Sequence, residues 1–331
     1  MRQILQGPAH AGFSVAVPPA AFRAGLGCQI TGRVKATIAL ALILSLGLPA
    51  LAQAPPPADA LAQRIGHHDP GAYRRNRSHG SEGDMACMTL VPRNAIPLLN
   101  FVHRCQMTAP LGGVGHHFHN TTEEMFVVFD GEAEFTIDGR TSLLKGTVGA
   151  PVRMGHSHAI VNPTDRPVEF MNINVASVSG QYDAFDLNDS RVGSFREPRP
   201  VFITMRLDKA LLGERQTLES YRGGMGTVKY RRALEPTVFL TNWSYVDHLV
   251  ISPGASEGLH RHPHLGEVYY VISGSGVVTV NQEAAPIRTG DGVPIRPDEA
   301  HAVSNSGAED LEIMIVGVAT EKGRLDTVEV K

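Results

Sequence analysis

Apolar residues in this chain come in short runs bounded by turn-forming residues. Met125-Phe126-Val127-Val128-Phe129 follows Glu124 and ends at Gly131, and Val268-Tyr269-Tyr270-Val271-Ile272 follows Glu267 and ends at Gly274. Such runs read as buried strands. Glu132 to Ile137 alternates apolar with polar, Asp138-Gly139 is a hairpin signal, and Thr141 to Leu144 returns. Leu98 to Met107, Val168 to Val175 and Leu311 to Val318 are further strand candidates. Only Asp208 to Tyr221 has weak helical character.

The two long runs lie inside a repeat. His117, His119, Glu124 and His158 recur as His260, His262, Glu267 and His301, and each pair is 143 residues apart (260 − 117 = 143). The same offset pairs Pro110 with Pro253, Gly115 with Gly258, Gly131 with Gly274, Pro151 with Pro294 and Asn162 with Asn305. Two stretches without net insertion encode one object twice, which settles the architecture before any detail.

The repeated polar residues are metal-ligand types. On a strand, residues two apart point to one face, so His117 and His119 present both imidazoles to one point. Three imidazoles and a carboxylate suit a divalent Fe, Mn, Ni, Cu, Co or Zn ion. Four protein ligands leave about two positions open on a six-coordinate ion, as in catalytic sites. His-x-His also occurs as His156-Ser157-His158 and His262-Pro263-His264. The choice of ligands therefore rests on the offset and on the family pattern.

That pattern, G-x5-H-x-H-x4-E-x6-G followed by G-x2-H-x3-N, resembles the cupin signature. Gly254, His260, His262, Glu267 and Gly274 carry its opening part, and Gly155, His158 and Asn162 its closing part. The resemblance spans residues 97–176 and 238–319. It implies an all-β chain of two tandem jelly-roll barrels, a bicupin, with one metal site in each and a partly helical connector. The chain departs from the pattern in places. Leu111 and Asp298 stand where glycines are expected, and Arg153 and Arg296, again 143 apart, where prolines are. Cupins include dioxygenases, decarboxylases, isomerases, lyases and binding proteins, so the fold does not choose the reaction.

The N-terminus has a different pattern. Arg33 and Lys35 precede an apolar run from Ala36 to Ala52 that closes as Ala50-Leu51-Ala52. These are the three parts of a secretory signal peptide, here residues 1–52, with translation expected to start near Val34. The run is short and contains Pro49, which argues against a membrane span. The mature chain is then secreted or periplasmic. Export makes Cys87 and Cys105 a disulfide candidate, with two buried thiols as the alternative.

Composition excludes more than it assigns. Of 331 residues, 42% are apolar, enough for two domains, and the net charge of −3 argues against nucleic acid and anionic membrane as partners. A small-molecule substrate is expected. Because bicupins resemble a fused dimer of single cupins, further self-assembly stays open.

The organisation expected is a flexible lead-in over 53–85, rich in Pro, Gly, Arg and Ser, with His67, His68 and His79 solvated. Barrel 1 follows over 86–176, a connector or lid over 177–237 and barrel 2 over 238–331. The lid sits on barrel 1, since little chain follows barrel 2. Arg153 and Arg296 are candidates to hold an anionic substrate beside each metal, with an ion pair elsewhere as the plainer reading. Asp183 and Asp186 are candidate lid acids, a role that loop carboxylates fill in decarboxylase-type bicupins, with a solvated turn as the alternative. Tyr269 shares the face of Glu267 and should point into barrel 2, where barrel 1 has Phe126. Three classes remain: a dioxygenase- or decarboxylase-like enzyme on a small oxygenated substrate, a non-redox isomerase or lyase on sugars or uronic acids, and a binding protein.

Overall fold

A computed structural model describes residues 60–188 and 195–330. The signal segment, its cleavage site and the first residues of the lead-in lie outside the described residues. No helix among those described is long and apolar enough to cross a membrane.

The strands build two barrels of two sheets each. In barrel 1 the larger sheet runs Arg74–Asn76, Met85–Val91, Leu99–Met107, Val168–Ala176, Thr122–Val128, Val148–Val152 and Met205–Arg206. The smaller sheet runs Phe185–Asp186, Gly113–Phe118, His158–Val161, Glu132–Ile137 and Arg140–Lys145. Barrel 2 repeats both with one edge strand fewer. All strand pairs within the sheets are antiparallel, including the pairing of Gly113–Phe118 with His158–Val161 that sets His117 opposite His158. The hairpin expected at Asp138-Gly139 forms with φ of 50° and 73°, the backbone a tight antiparallel turn requires.

Each barrel has its own apolar interior, and a third core joins them. That shared core sets Leu99, Met125, Met171 and Ile173 of barrel 1 against Trp243, Val268, Tyr270 and Met314 of barrel 2. Alternation explains it: Met125 and Val127 face the partner barrel, while Phe126 and Val128 face the interior.

The repeat is longer in the fold than in the sequence motif. Arg74–Asn76 corresponds to Thr217–Glu219 (217 − 74 = 143), and Phe185–Asp186 to Val328–Glu329 (328 − 185 = 143). Three expectations are corrected by this. The lead-in from Ala60 is docked, not flexible: Leu61 and Ile65 enter the core of barrel 2, Arg64 pairs with Glu299 at 2.8 Å, and Arg74–Asn76 adds a strand to barrel 1. The connector is partly helical as expected, with 3-10 turns at Lys209–Leu211, Glu214–Gln216 and Tyr221–Gly223, but its strand Thr227–Leu234 belongs to the barrel 2 sheet, so that barrel begins before residue 238. A covering segment is also not confined to barrel 1, because Val328–Glu329 pairs with His260 and Arg261 just as Phe185–Asp186 pairs with Phe118 and His117. Turn-rich composition hid the edge strands Arg74–Asn76, Phe185–Asp186, Thr217–Glu219 and Val328–Glu329, since strands of two or three residues carry almost no periodic signal.

Two departures from the family pattern keep its backbone. Leu111 takes φ 68° where Gly254 takes 75°, and Asp298 takes φ 67° where Gly155 takes 79°. A non-glycine residue in this region carries about 1 kcal/mol of strain or more.

Candidate metal centres

The eight repeated residues form two buried clusters, His117–His119–Glu124–His158 and His260–His262–Glu267–His301, with the donor atoms of each within 4.8 Å of one another. In barrel 1, Glu124 Oε2 lies 2.8 Å from Nε2 of His158, 3.3 Å from that of His119 and 3.4 Å from that of His117. In barrel 2, Glu267 Oε2 lies 2.9 Å from His301 Nε2 and 3.5 Å from His262 Nε2.

The orientation of the rings tests the donor set. All six imidazoles are anchored at Nδ1 on a backbone carbonyl. His117, His158, His260 and His301 use the carbonyl two residues earlier, at 2.8, 3.3, 2.9 and 2.9 Å. His119 and His262 use the carbonyls of Asp183 and Asp326. An imidazole that donates from Nδ1 turns the lone pair of Nε2 inward, as metal-binding histidines do. Lone pairs packed against a carboxylate repel unless a cation lies between them. His260 Nε2 is buried without a hydrogen-bond partner. Both clusters thus fit a divalent ion held by three imidazoles and one carboxylate.

The second oxygen of each carboxylate is held by different residues in the two barrels. In barrel 1 the Asn174 amide donates to Glu124 Oε1 at 3.5 Å and to Thr122. In barrel 2 the Tyr245 hydroxyl donates to Glu267 Oε1 at 2.7 Å. The residue 143 after Asn174 is Gly317, and a Cβ there would stand 2.4 Å from the Tyr245 ring. Gly317 therefore leaves the room that Tyr245 fills. Burial raises the pKa of Glu124 and of Glu267, and positive charge at the centre, a proton on the imidazoles or a metal ion in its place, outweighs it and holds both well below the usual carboxylate range.

The other candidates fall in several places. Arg153 does not reach a metal cluster: its guanidinium donates to the carbonyls of Val238 and Thr237, tying barrel 1 to the segment entering barrel 2. Arg296 is joined to neither cluster among the described residues, and its backbone N–H donates to Glu299. Their shared offset reflects a common position in the loop, not a common ligand. Asp183 is no lid acid either. Its carboxylate accepts from Asn120 N, Thr121 N and Thr121 Oγ1 while its carbonyl anchors His119, so it closes a turn and orients a ligand. Asp186 accepts from His79 Nδ1 at 2.5 Å. Tyr269 points into barrel 2 as expected, edge-on to His301, and donates to Glu257 at 3.0 Å. Asn162 and Asn305 hold equivalent turns, each amide donating to the carbonyl four residues later. Cys87 and Cys105 face each other on adjacent strands and are bridged, with Cα atoms 4.1 Å apart.

Sequence reasoning missed the residues that make the two sites unlike. His79, expected to be solvated, lies flat on His117 with ring centroids 3.8 Å apart. Its counterpart 143 residues on is Arg222, whose guanidinium approaches His262 Nε2 to 3.4 Å. Carrying the offset beyond Asn305 would have paired Asp183 with Asp326 and revealed the second anchoring carbonyl. His79 and Arg222 left no such signal, because the paired residues differ.

A cavity of about 310 Å³ opens on barrel 1. His117 and Glu124 line it, together with the polar side chains of His79, His103, Asn172 and Tyr182. Met85, Cys87, Phe101 and Val114 supply the apolar part of the lining. Burial lowers the pKa of His103 to about 4, so the ring is neutral at physiological pH. Asn172 Oδ1 is buried without a hydrogen-bond partner and faces this space.

A cupin-domain family model matches residues 106–174 and 247–317, one segment in each barrel. An oxalate-binding protein of Thermotoga maritima is 32% identical over 101 residues, which is 30% of this chain and 84% of that protein. This chain belongs to the cupin superfamily. It is a bicupin, and oxalate decarboxylase of Bacillus subtilis shares its fold, at 18% identity and a TM-score of 0.54 over 80% of this chain and 78% of that one. The oxalate decarboxylase of Lactobacillus farciminis superposes with a TM-score of 0.53 at 16% identity, over 80% and 88% of the two chains. A Streptomyces glaucescens protein, tetracenomycin polyketide synthase protein TcmJ, is 27% identical over 112 residues, or 33% of this chain and 73% of that protein.

Proposed function

We propose that this bicupin is an exported, metal-dependent enzyme of dioxygenase- or decarboxylase-like type, and that barrel 1 is where it acts on a small oxygenated molecule. The observation that carries this reading is the cavity reaching the His117–Glu124 cluster, lined by both polar and apolar side chains. A bound divalent ion would supply Lewis acidity and a template for substrate oxygens. The protein residues around it orient and select. The Asp186 carboxylate holds His79 flat against His117, which fixes that face of the site. Neutral His103 and the unpaired Asn172 carbonyl favour a ligand bearing a hydroxyl or an acid proton. Arg93, anchored on Gly180 O at 3.1 Å, adds a positive charge at the lining and suits a carboxylate.

The Cys87–Cys105 bridge supports export, since such bonds persist in oxidising compartments. Mn is the first ion to load, because one solved structure of Bacillus subtilis oxalate decarboxylase is described by its Mn(II) centres. The test is oxygen uptake and carbon dioxide release on a panel of enediols and carboxylates, with Mn, Fe, Ni and Cu loaded in turn. Turnover lost in His119→Ala and impaired in Asn172→Leu supports the reading, and no turnover with any ion overturns it. A second reading, ligand binding without turnover, is favoured by the similarity to the Thermotoga oxalate-binding protein. Saturable binding with no product formed would select it.

A further inference from the structure

The two clusters share a donor set, but the space beside them is used in opposite ways. In barrel 1 that space is the cavity. In barrel 2 the residues 143 after His79 and Val114 are Arg222 and Glu257 (222 − 79 = 143; 257 − 114 = 143), and they fill it. The Glu257 side chain is 1% exposed and that of Arg222 17%, with Nε to Oε1 at 3.3 Å. Tyr269 donates to the other oxygen of Glu257 at 3.0 Å. The pair also abuts the metal ligands: Arg222 Nη1 lies 3.4 Å from His262 Nε2, and Glu257 Oε1 lies 3.8 Å from His260 Nε2. Behind it, Asp247 is held by Arg232 at 2.9 Å and by the Tyr230 hydroxyl at 2.9 Å. Each of these interior charges has an internal partner. An incoming anion would have to separate Arg222 from Glu257 and leave a carboxylate buried and unpaired, which is strongly unfavourable.

We propose that barrel 2 is a self-filled metal site, in which the Arg222–Glu257 pair stands where barrel 1 takes its ligand. Its ion is closed to small anions and serves the stability of the fold. The proposal rests on the reading that both clusters take a metal, and is independent of turnover in barrel 1.

The experiment uses Mn(II)-loaded protein with one cluster disabled, His119→Ala to retain barrel 2 and His262→Ala to retain barrel 1. Each is titrated with azide and followed by electron paramagnetic resonance. Azide alters the spectrum of the barrel 1 ion and leaves that of the barrel 2 ion unchanged at the same concentrations. Adding Arg222→Ala and Glu257→Val, the latter copying Val114, to the His119→Ala protein makes its ion azide-responsive. Glu257→Gln is the milder second variant: it keeps the shape, strips Arg222 of its charge partner and also gains azide binding. Chelation of the His119→Ala protein lowers its melting temperature. The proposal is overturned by an azide response of the barrel 2 ion with Arg222 and Glu257 intact, by silence in both variant backgrounds, by failure of His119→Ala to bind Mn(II), or by no thermal shift on chelation.

Discussion

Replacing both Cys87 and Cys105 by alanine tests the covalent tie between the strands Met85–Val91 and Leu99–Met107. The cysteines are 18 residues apart in sequence and directly opposite in the sheet. Closing a loop of that length removes chain entropy from the unfolded state by roughly 11 cal/mol/K, which is about 3 kcal/mol at room temperature. The native strands are already paired along this register, so the bridge adds little to the folded state and its effect lies in the unfolded one. For a chain of this size about 3 kcal/mol corresponds to a melting temperature lower by roughly 6–12 °C. The assay is denaturant unfolding of the parent and of the double variant, each with and without reductant. The parent should lose about 3 kcal/mol on reduction, and the variant should be insensitive to reductant. A reduction effect under about 1 kcal/mol would refute the entropic argument. Because Cys87 also lines the cavity, ligand binding to reduced protein reports whether that wall depends on the bridge.

Three other outcomes are expected. Metal analysis of protein purified without chelator should find one ion per cluster, with His119→Ala and His262→Ala each losing one; retention of both ions in either variant contradicts the ligand sets. Leu111→Gly should stabilise by about 1 kcal/mol, because residue 111 has a φ of 68° and its leucine is 43% exposed, so little packing is lost; unchanged or lowered stability argues against strain there. His103 has a folded pKa lowered by burial to about 4, below its unfolded value of about 6.5. The unfolded chain therefore takes up the proton first, and the contribution, at most about 3 kcal/mol, is complete above about pH 6.5 and is lost as pH falls towards 4. His103→Leu should flatten the stability profile in that window, and an unchanged slope would show that His103 does not set it.

Much of the candidate site was legible because it is local. His-x-His on a strand and a glutamate five residues later need only alternation to converge, and a fixed offset of 143 marked them twice. The interior position of Tyr269 opposite Phe126 followed from the same parity. Pairing across a distance was not legible. Arg153 and Arg296 share the offset, yet Arg153 bonds to the carbonyls of Thr237 and Val238, a destination set by how the barrels dock through their shared core.

The sequence by itself therefore determined the double barrel, the two donor sets and the alternation that directs them inward, since all three are properties of residues near one another on a strand. Tertiary structure decided which residues stand beside each donor set. His79 and Arg222 come from short segments without periodic signal, and Glu257 reads as one polar residue in a strand. Only the closure of each barrel brings His79 against His117 beside a cavity, and Arg222 onto Glu257 at the equivalent place in barrel 2. Burial forces a charged pair to satisfy itself, and that long-range constraint separates two sites whose ligands are the same.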